Sequence, residues 1–390
     1  MIIPKLALRN LLGAGLRTWL NVVVLSLSFV LIIWLQGLYI GMGDQIKEAQ
    51  IDVDYGGGQY WHESYDPYDP LTLEDAHGAV PDPIQNKIDK GEATPILIAQ
   101  ATIYPEGRLQ VILLKGIDPA QTVVNFPSQF LVQENGEIPA LIGTRMAKSA
   151  GLKIGDKVIV RWRDAQGTFD ARDVYIAQIM KTIVPAVDQS QIWIPLETMR
   201  ELMGMQNEAS LVVMAKEIEE LPVVSGWNFK SLKFLLADVE YLIKTKKTGG
   251  SIIYMFLLLL AMLAIFNTQV LSIFRRKKEM GSMMAMGFTR GKIIQLFTLE
   301  GAFHSVLAGI VAAIYGIPFL VWFAKKGWAM PEGYDDFGIA LGEKLFPIYT
   351  AGLVFGTVML ILIVTTIVSF LPTRKIAKLK PTDALRGRLS

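Results

Sequence analysis

The run Ser251-Ile-Ile-Tyr-Met-Phe-Leu-Leu-Leu-Leu-Ala-Met-Leu-Ala-Ile-Phe-Asn-Thr-Gln-Val-Leu-Ser-Ile-Phe-Arg-Arg-Lys-Lys278 decides the class of fold. Between Lys247 and Arg275 more than 20 residues pass without a charge, and Arg275, Arg276, Lys277 and Lys278 follow at once. A helix of roughly 20 apolar residues crosses a hydrocarbon core of about 30 Å. Two more stretches are built alike, from Arg17 to Asp44 and from Lys344 to Arg374. A fourth, from about Gln295 to Phe323, carries only Glu300 and His304, both near its start. Composition agrees: 52% of the 390 residues are hydrophobic, 19% are charged, and the mean hydropathy is +0.37, too apolar for an ordinary soluble chain. The first run is too long for the apolar region of a cleaved leader, and no small-x-small site follows Ile40, so it reads as a retained anchor.

Charge orients the four spans. Lys5, Arg9 and Arg17 precede the first; Arg275, Arg276, Lys277, Lys278, Arg290 and Lys292 lie between the second and third; Arg374, Lys375, Lys378, Lys380, Arg386 and Arg388 follow the fourth. Cationic loops stay in the cytoplasm. Between spans three and four, Lys325, Lys326 and Lys344 are offset by Glu332, Asp335, Asp336 and Glu343, which suits the outside. The expected order is a cytoplasmic segment 1–17, span 18–43, an outer domain 44–248, span 249–274, a cytoplasmic connection 275–294, span 295–323, an outer loop 324–346, span 347–371 and a cytoplasmic tail 372–390.

Outside the membrane the pattern shifts to short strands between turn residues. Leu109 to Ile117, Lys157 to Arg163, Phe169 to Met180 and Gln191 to Ile194 read as strands, with Asp164-Ala-Gln-Gly167 as a hairpin turn. Pro195 to Gly204 reads as a short helix, proline near its start and glycine past its end. The expected class is therefore an α-helical membrane protein with four transmembrane helices plus an α+β extracytoplasmic domain. Residues 55–95, rich in Gly, Pro, Asp and Tyr, read as irregular surface, and His62, Asp66, Asp69 and His77 lack the spacing of a metal site. From Asn228 to about Lys247, Leu232, Leu235, Leu236, Val239, Leu242 and Ile243 recur at helical spacing, so a helix outside leads into span two through Thr248-Gly-Gly250, as a stiff connection or as a loose joint. No cysteine occurs, which excludes disulfides, thiolate metal sites and a cysteine nucleophile.

In the cytoplasmic connection Met280, Met283, Met284 and Phe288 recur at three- and four-residue spacing. An exposed methionine stripe adapts to a partner groove, and it equally suits a helix lying among lipid headgroups. Glu300 and His304, four apart on one helix face, are functional candidates by their depth, and a packing or coupling role outweighs a proton relay. Gly301, Gly309 and Gly316 with Ala308, Ala312 and Ala313 form a small-residue face for close helix packing. Phe29, Trp34, Leu38, Met255, Phe256 and Leu259 either line an apolar chamber for acyl chains or face lipid.

Several motifs then fall in order along the chain. Asn267, Thr268, Arg276, Glu279, Met280, Gly281, Ala285, Gly287 and Ile293 match the N-T…E-R-x-x-E-I-G-x-x-x-A-L-G-x-x-x-x-x-I signature. Ala7-Leu-Arg-Asn-Leu with Arg17-Thr18, and Leu371-Pro-Thr-Arg-Lys-Ile-Ala-Lys-Leu-Lys-Pro-Thr-Asp-Ala-Leu-Arg386, match the two ends. Ile142 to Val160 matches the G-x-x-L-A-x-x-L-G-L-x-x-G-D-x-V-x-L segment, and Lys115-Gly-Ile-Asp-Pro119 a shorter phrase. Together they resemble the FtsX-like/MacB-type ABC transporter permease family, with the short phrase typical of the lipoprotein-releasing LolC/LolE permeases. No G-x-x-x-x-G-K-[ST] loop occurs, because Gly151 to Lys157 lacks the second glycine, and no catalytic triad or carboxylate pair stands out.

The resemblance implies a MacB-like periplasmic domain, a multi-pass chain of the bacterial inner membrane with both termini cytoplasmic, and a coupling helix at Glu279, Met280, Gly281, Met283, Met284, Ala285, Gly287 and Phe288. It also implies a separate, LolD-like ABC ATPase that binds ATP and Mg, so this chain holds no cofactor, metal or catalytic residue. A second permease chain, identical or homologous, completes the pathway, and no nucleic acid is involved. Lipoprotein extraction toward the outer membrane ranks first, with MacB-like export of drugs or peptides and FtsX-like signalling to cell-wall hydrolases as alternatives. One departure concerns the periplasmic carrier: the turn at Asp164 to Gly167 is too short for the proline-containing hook by which LolC holds it, which leaves a LolE-like or homodimeric role open.

Overall fold

The computed structural model describes residues 2–13, 15–133, 136–218, 221–330 and 344–374. The basic tail beyond Arg374 and the acidic side chains of the loop at 331–343 lie outside them. Among the described residues the helices are α1 (Ile2–Gly13), α2 (Leu16–Gln50), α3 (Asp82–Asp89), α4 (Thr144–Ala150), α5 (Pro185–Asp188), α6 (Leu196–Met203), α7 (Leu232–Leu235), α8 (Ala237–Arg275), α9 (Lys277–Ala285), α10 (Arg290–Lys326) and α11 (Ala351–Thr373). The strands are β1 (Gln59–His62), β2 (Gly78–Ala79), β3 (Ala93–Ile103), β4 (Gln110–Ile117), β5 (Ile138–Gly143), β6 (Lys157–Arg163), β7 (Phe169–Met180), β8 (Gln191–Pro195), β9 (Glu208–Ala209), β10 (Leu211–Met214), β11 (Trp227–Lys230), β12 (Trp328–Ala329) and β13 (Lys344–Leu345). They divide into a helical unit (Met1–Met42, Leu242–Ala329, Lys344–Ser390) and a β-rich unit (Gly43–Tyr241, Met330–Glu343).

Among the described residues, four helices are long and apolar enough to span a bilayer: Trp19–Tyr55, Ala237–Arg275, Arg290–Lys326 and Ala351–Thr373. Only 18% to 44% of each most apolar window is buried, so most of each span faces outward, as a lipid solvent permits. Their shared core joins Val22, Leu25 and Phe29 of α2, Ala261 and Ile265 of α8, Ala308 of α10, and Ile361 and Val368 of α11. The N-terminal segment is itself a helix, α1, with Ala7 and Leu11 fully buried.

Close approach in this unit is set by glycines. A Cβ on Gly37 or Gly41, one turn apart on α2, would strike the Tyr349 ring or the Phe346 carbonyl, and Ile348 N donates to Gly37 O at 3.0 Å. A Gly-x-x-x-Gly spacing thus seats the strand-like segment that leads into α11. Helix α8 runs unbroken through Gly249 and Gly250, and a Cβ on Gly250 would sit 2.8 Å from the Tyr39 ring. Of the two readings of this glycine pair, the continuous helix is the one observed: Gly250 makes room for Tyr39 without breaking the hydrogen-bond ladder.

The β-rich unit is organised by a nine-stranded sheet, in the order β11-β1-β10-β3-β4-β8-β5-β7-β6. β3 also pairs with β6, Ala101 opposite Trp162 and Ile103 opposite Val160, so β3, β4, β8, β5, β7 and β6 close on themselves. Closure removes two exposed edges. The alternation in Lys157–Arg163 turns Val158, Val160 and Trp162 inward, and these meet Leu97, Ile112, Ile142, Ile176 and Ile194. β4 with β8 and β5 with β7 run parallel, while the other pairs of the nine-stranded sheet are antiparallel.

The hairpin forms where expected: Asp164 N donates to Thr168 O at 2.9 Å, Gln166 N and Thr168 N donate to the Asp164 carboxylate, and Gly167 takes a φ of 82°. Gly204, with a φ of 70°, ends α6. Two readings are corrected. Residues 55–95 are largely regular, holding β1, α3 and the start of β3, because turn-rich composition masks short elements that tertiary pairing stabilises. Asn228–Lys230 belongs to strand β11 and the helical periodicity begins at Leu232, since β1 offers an edge that a helix cannot pair.

Candidate functional site

The best-defined polar constellation of the helical unit lies where α8 gives way to α9. Arg276, at φ −97° and ψ 17°, breaks the helix, and its side chain turns back into the unit. Its Nη1 donates to both Glu300 oxygens, at 3.1 and 2.9 Å, and its Nε donates to Glu279 at 2.7 Å. The guanidinium also lies 4.9 Å from the Phe297 ring centre. Glu300 is buried and Glu279 is exposed, so one cation joins an interior carboxylate of α10 to a surface carboxylate of α9. Because Nη1 alone serves both Glu300 oxygens and Nε serves Glu279, the guanidinium bridges two carboxylates by charge-assisted hydrogen bonds.

Beneath this network a small apolar cluster holds α9 in place: Met280, Ile273, Ile293 and Phe297 are buried, and Met283, Met284 and Phe288 pack against them. Gly287, at φ 95°, lets the chain reverse, and Thr289 caps α10 by accepting from Lys292 N at 3.4 Å. The glycine at 287 therefore serves turn geometry, whereas the alanine at 285 is exposed.

The methionine stripe thus departs from its sequence reading. Met280 is fully buried and Met283 and Met284 are half-buried, because α9 is too short to be stable alone and spends its apolar face on α8 and α10. The surface left for a partner comprises Glu279, Ser282, Ala285, Met286 and Gly287, of which Met286 is 73% exposed. Met286 caps the C-terminal end of α9 and lies outside the stripe formed by Met280, Met283, Met284 and Phe288.

The apolar chamber residues also separate. Phe29 and Leu38 are buried in the helical unit, and Trp34 stacks on Trp328 at 5.1 Å and meets Phe323 edge-on at 5.5 Å. Met255, Phe256 and Leu259 are 58%, 59% and 52% exposed, so the six residues do not converge within one chain. His304 Nδ1 contacts Glu300 O at 2.8 Å, so this histidine is tied to its own helix. In the β-rich unit His77 contacts Glu208, His62 meets Trp227 edge-on at 5.8 Å, and the Asp69 carboxylate accepts from Leu71 N at 3.0 Å, which accounts for these residues structurally.

Comparison with known proteins now bears on this arrangement. Residues 251–381 match the model of the FtsX-like permease C-terminal family, a stretch that contains α9 and the Arg276 network. An ABC transporter permease of Methanocaldococcus jannaschii is 24% identical over 278 residues, 66% of this chain and 64% of that protein. The macrolide export ATP-binding/permease protein MacB of Chromobacterium violaceum is 23% identical over 240 residues, 55% of this chain and 35% of MacB. The lipoprotein-releasing system transmembrane protein LolC of Neisseria meningitidis is 20% identical over 327 residues, 75% of this chain and 77% of LolC. The first two alignments span less than two thirds of the relatives' own length. The chain carries an FtsX-like permease domain, and its relatives are ABC transporter permeases.

Proposed function

We propose that this chain is the membrane subunit of an ABC transporter of the FtsX/MacB/LolC type, driven by ATP hydrolysis on a separate chain, and that its cargo is a lipoprotein leaving the inner membrane. The observation that carries the coupling role is the Arg276 network. It clamps a nine-residue helix with an exposed outer face onto the ends of two spans, so that force on α9 enters α8 and α10 without loss to a flexible joint. Continuity of α8 from Ala237 to Arg275 supports transmission to the β-rich unit. Lipoprotein cargo is supported by the LolC alignment, which covers most of both chains, and by Lys115-Gly-Ile-Asp-Pro119. Each buried CH₂ of an acyl anchor holds about 0.8 kcal/mol, so extraction of several chains requires an external energy source.

In the complex purified with its ATPase, Glu279→Lys is expected to lower cargo-stimulated hydrolysis about tenfold, the size of one lost charged contact. Hydrolysis equal to the unaltered complex would remove α9 from the coupling role. Mass spectrometry of the complex isolated with native lipids reads the cargo: a bound triacylated peptide is expected, and its consistent absence transfers the reading to export of another molecule.

Orientation has its own test. Because the chain holds no cysteine, single cysteines at Met286 and at Ile154, 73% and 58% exposed, are unique reporters. A membrane-impermeant maleimide added to spheroplasts is expected to label Ile154→Cys and spare Met286→Cys, and the reverse pattern would invert the topology.

A further inference from the structure

The β-rich unit contains a cavity of about 800 Å³ that the transport reading does not use. Tyr55, Trp61, Tyr65 and Phe234 form much of its wall, and Asp54, Lys115 and Gln191 supply polar groups. This volume and this mixture of aromatic wall with few polar groups are those of a small-molecule or peptide site.

Two of the polar groups lack a hydrogen-bond partner among the described residues. Lys115 is 7% exposed; its Nζ lies 4.8 Å from the Trp193 ring centre and, among the described residues, donates no hydrogen bond. Gln191 is 5% exposed, and its Oε1 is buried without a partner. An unpaired buried polar group costs about 1–3 kcal/mol, so the unpaired Gln191 Oε1, beside an ammonium held only by the Trp193 ring among the described residues, is unusual in a folded core.

Their placement is specific. β4 and β8 are paired with Leu113 opposite Gln191 and Lys115 opposite Trp193, so Lys115 and Gln191 lie on one sheet face, two residues apart along the strand direction. Offset by two residues on neighbouring strands about 4.8 Å apart, their Cα atoms are separated by about 8 Å, a little more than the roughly 7 Å repeat of an extended peptide. Asp54, at the end of the π-helical turn after α2, is the charge that faces Lys115, yet the two do not close into an ion pair among the described residues. Burial pushes the Lys115 ammonium down from its ordinary value, and the Asp54 charge partly offsets this.

We infer that this cavity binds a short peptide segment in extended form, its backbone C=O accepting from Lys115 and its backbone N–H donating to Gln191 Oε1, with an apolar side chain against Trp61 and Tyr65. An acyl chain would leave both polar groups unpaired, and a simple carboxylate would satisfy only Lys115. The inference goes beyond the transport reading and holds whatever the cargo. Along the chain, Asp54 and Tyr55 close the π-helical turn that ends the first long helix, and Phe234 and Leu235 precede α8.

The test uses the full chain in lipid nanodiscs, without ATPase, so its outcome is independent of the coupling proposal. The probe is the N-acetylated, C-amidated tetrapeptide Leu-Phe-Ala-Leu, read by saturation-transfer NMR against empty nanodiscs. Saturable binding is expected, weakened about tenfold by Lys115→Met and by Gln191→Leu, which is 1.4 kcal/mol each. An analogue with its central amide replaced by an ester, and decanoate, are expected to bind the unaltered protein at least about tenfold more weakly. This comparison needs no variant to fold. Absence of saturable binding, or equal binding of the ester analogue or decanoate, overturns the assignment.

Discussion

Replacing Arg276 by alanine is expected to destabilise the helical unit by about 3–5 kcal/mol, the range for stripping the partner from a buried ion pair. Glu300 is 5% exposed and receives two hydrogen bonds from the Arg276 guanidinium. Without them its buried carboxylate keeps the Asn10 side-chain hydrogen bond but has no cation donating to it among the described residues. Glu300→Gln should cost less, because Arg276 keeps Glu279 at 2.7 Å. The double change Arg276→Met with Glu300→Leu should restore most of the stability, since an apolar pair of similar volume often replaces a buried ion pair without loss. It should not restore ATPase coupling, because Glu279 then has no anchor to the spans. Thermal unfolding in nanodiscs reads the first effect and hydrolysis by the complex the second. A loss below about 1 kcal/mol for Arg276→Ala would mean that Asn10 and water, and not the guanidinium, satisfy Glu300.

The second large effect comes from a pair of glycines on α10. At Gly301 an added Cβ would collide with the Ser369 side chain and stand 2.9 Å from Gln269 Nε2, and both neighbours are buried, at 0% and 3% exposure. Gly301→Leu is therefore expected to force α8, α10 and α11 apart, at a cost of at least about 1–3 kcal/mol, and to reduce assembled protein in the membrane. At Gly309, two turns further on, nothing lies within 4 Å of an added Cβ. Gly309→Ala should gain up to about 1 kcal/mol from helix propensity, as glycine is the weaker helix former. Melting temperatures that move in the same direction for the two sites would contradict the packing described. Gly316 resembles Gly301, since its Cβ would meet Val30 at 2.6 Å, while Ala313 is exposed. The small residues of α10 thus divide between three neighbouring helices, α2, α8 and α11, and open space.

Much of this was legible before any coordinates. The four spans, the strands Lys157–Arg163 and Phe169–Met180, and the helix ending at Gly204 were read from apolar runs, alternation and turn residues, all local signals. The continuous apolar strand β3 was missed, because a strand buried on both faces loses its alternation. In the candidate site, Glu279, Met280 and Gly287 were found by motif. Sequence spacing placed Met280 on an exposed stripe, whereas the fold turns it inward. Arg276 and Glu300 were both noted, but separately, since no periodicity links residues 24 apart on different helices.

What the sequence determined by itself is the class of solvent each segment requires. Transfer of a helix into hydrocarbon is close to a sum over its residues, so composition alone suffices to decide it. Tertiary structure alone decided the strand order, the closure of β3 on β6, the Arg276–Glu300 pairing and the convergence of Lys115 and Gln191 on one cavity. Each depends on which distant segments share a surface, and that follows from packing and hydrogen-bond satisfaction across the whole fold, which no local window contains.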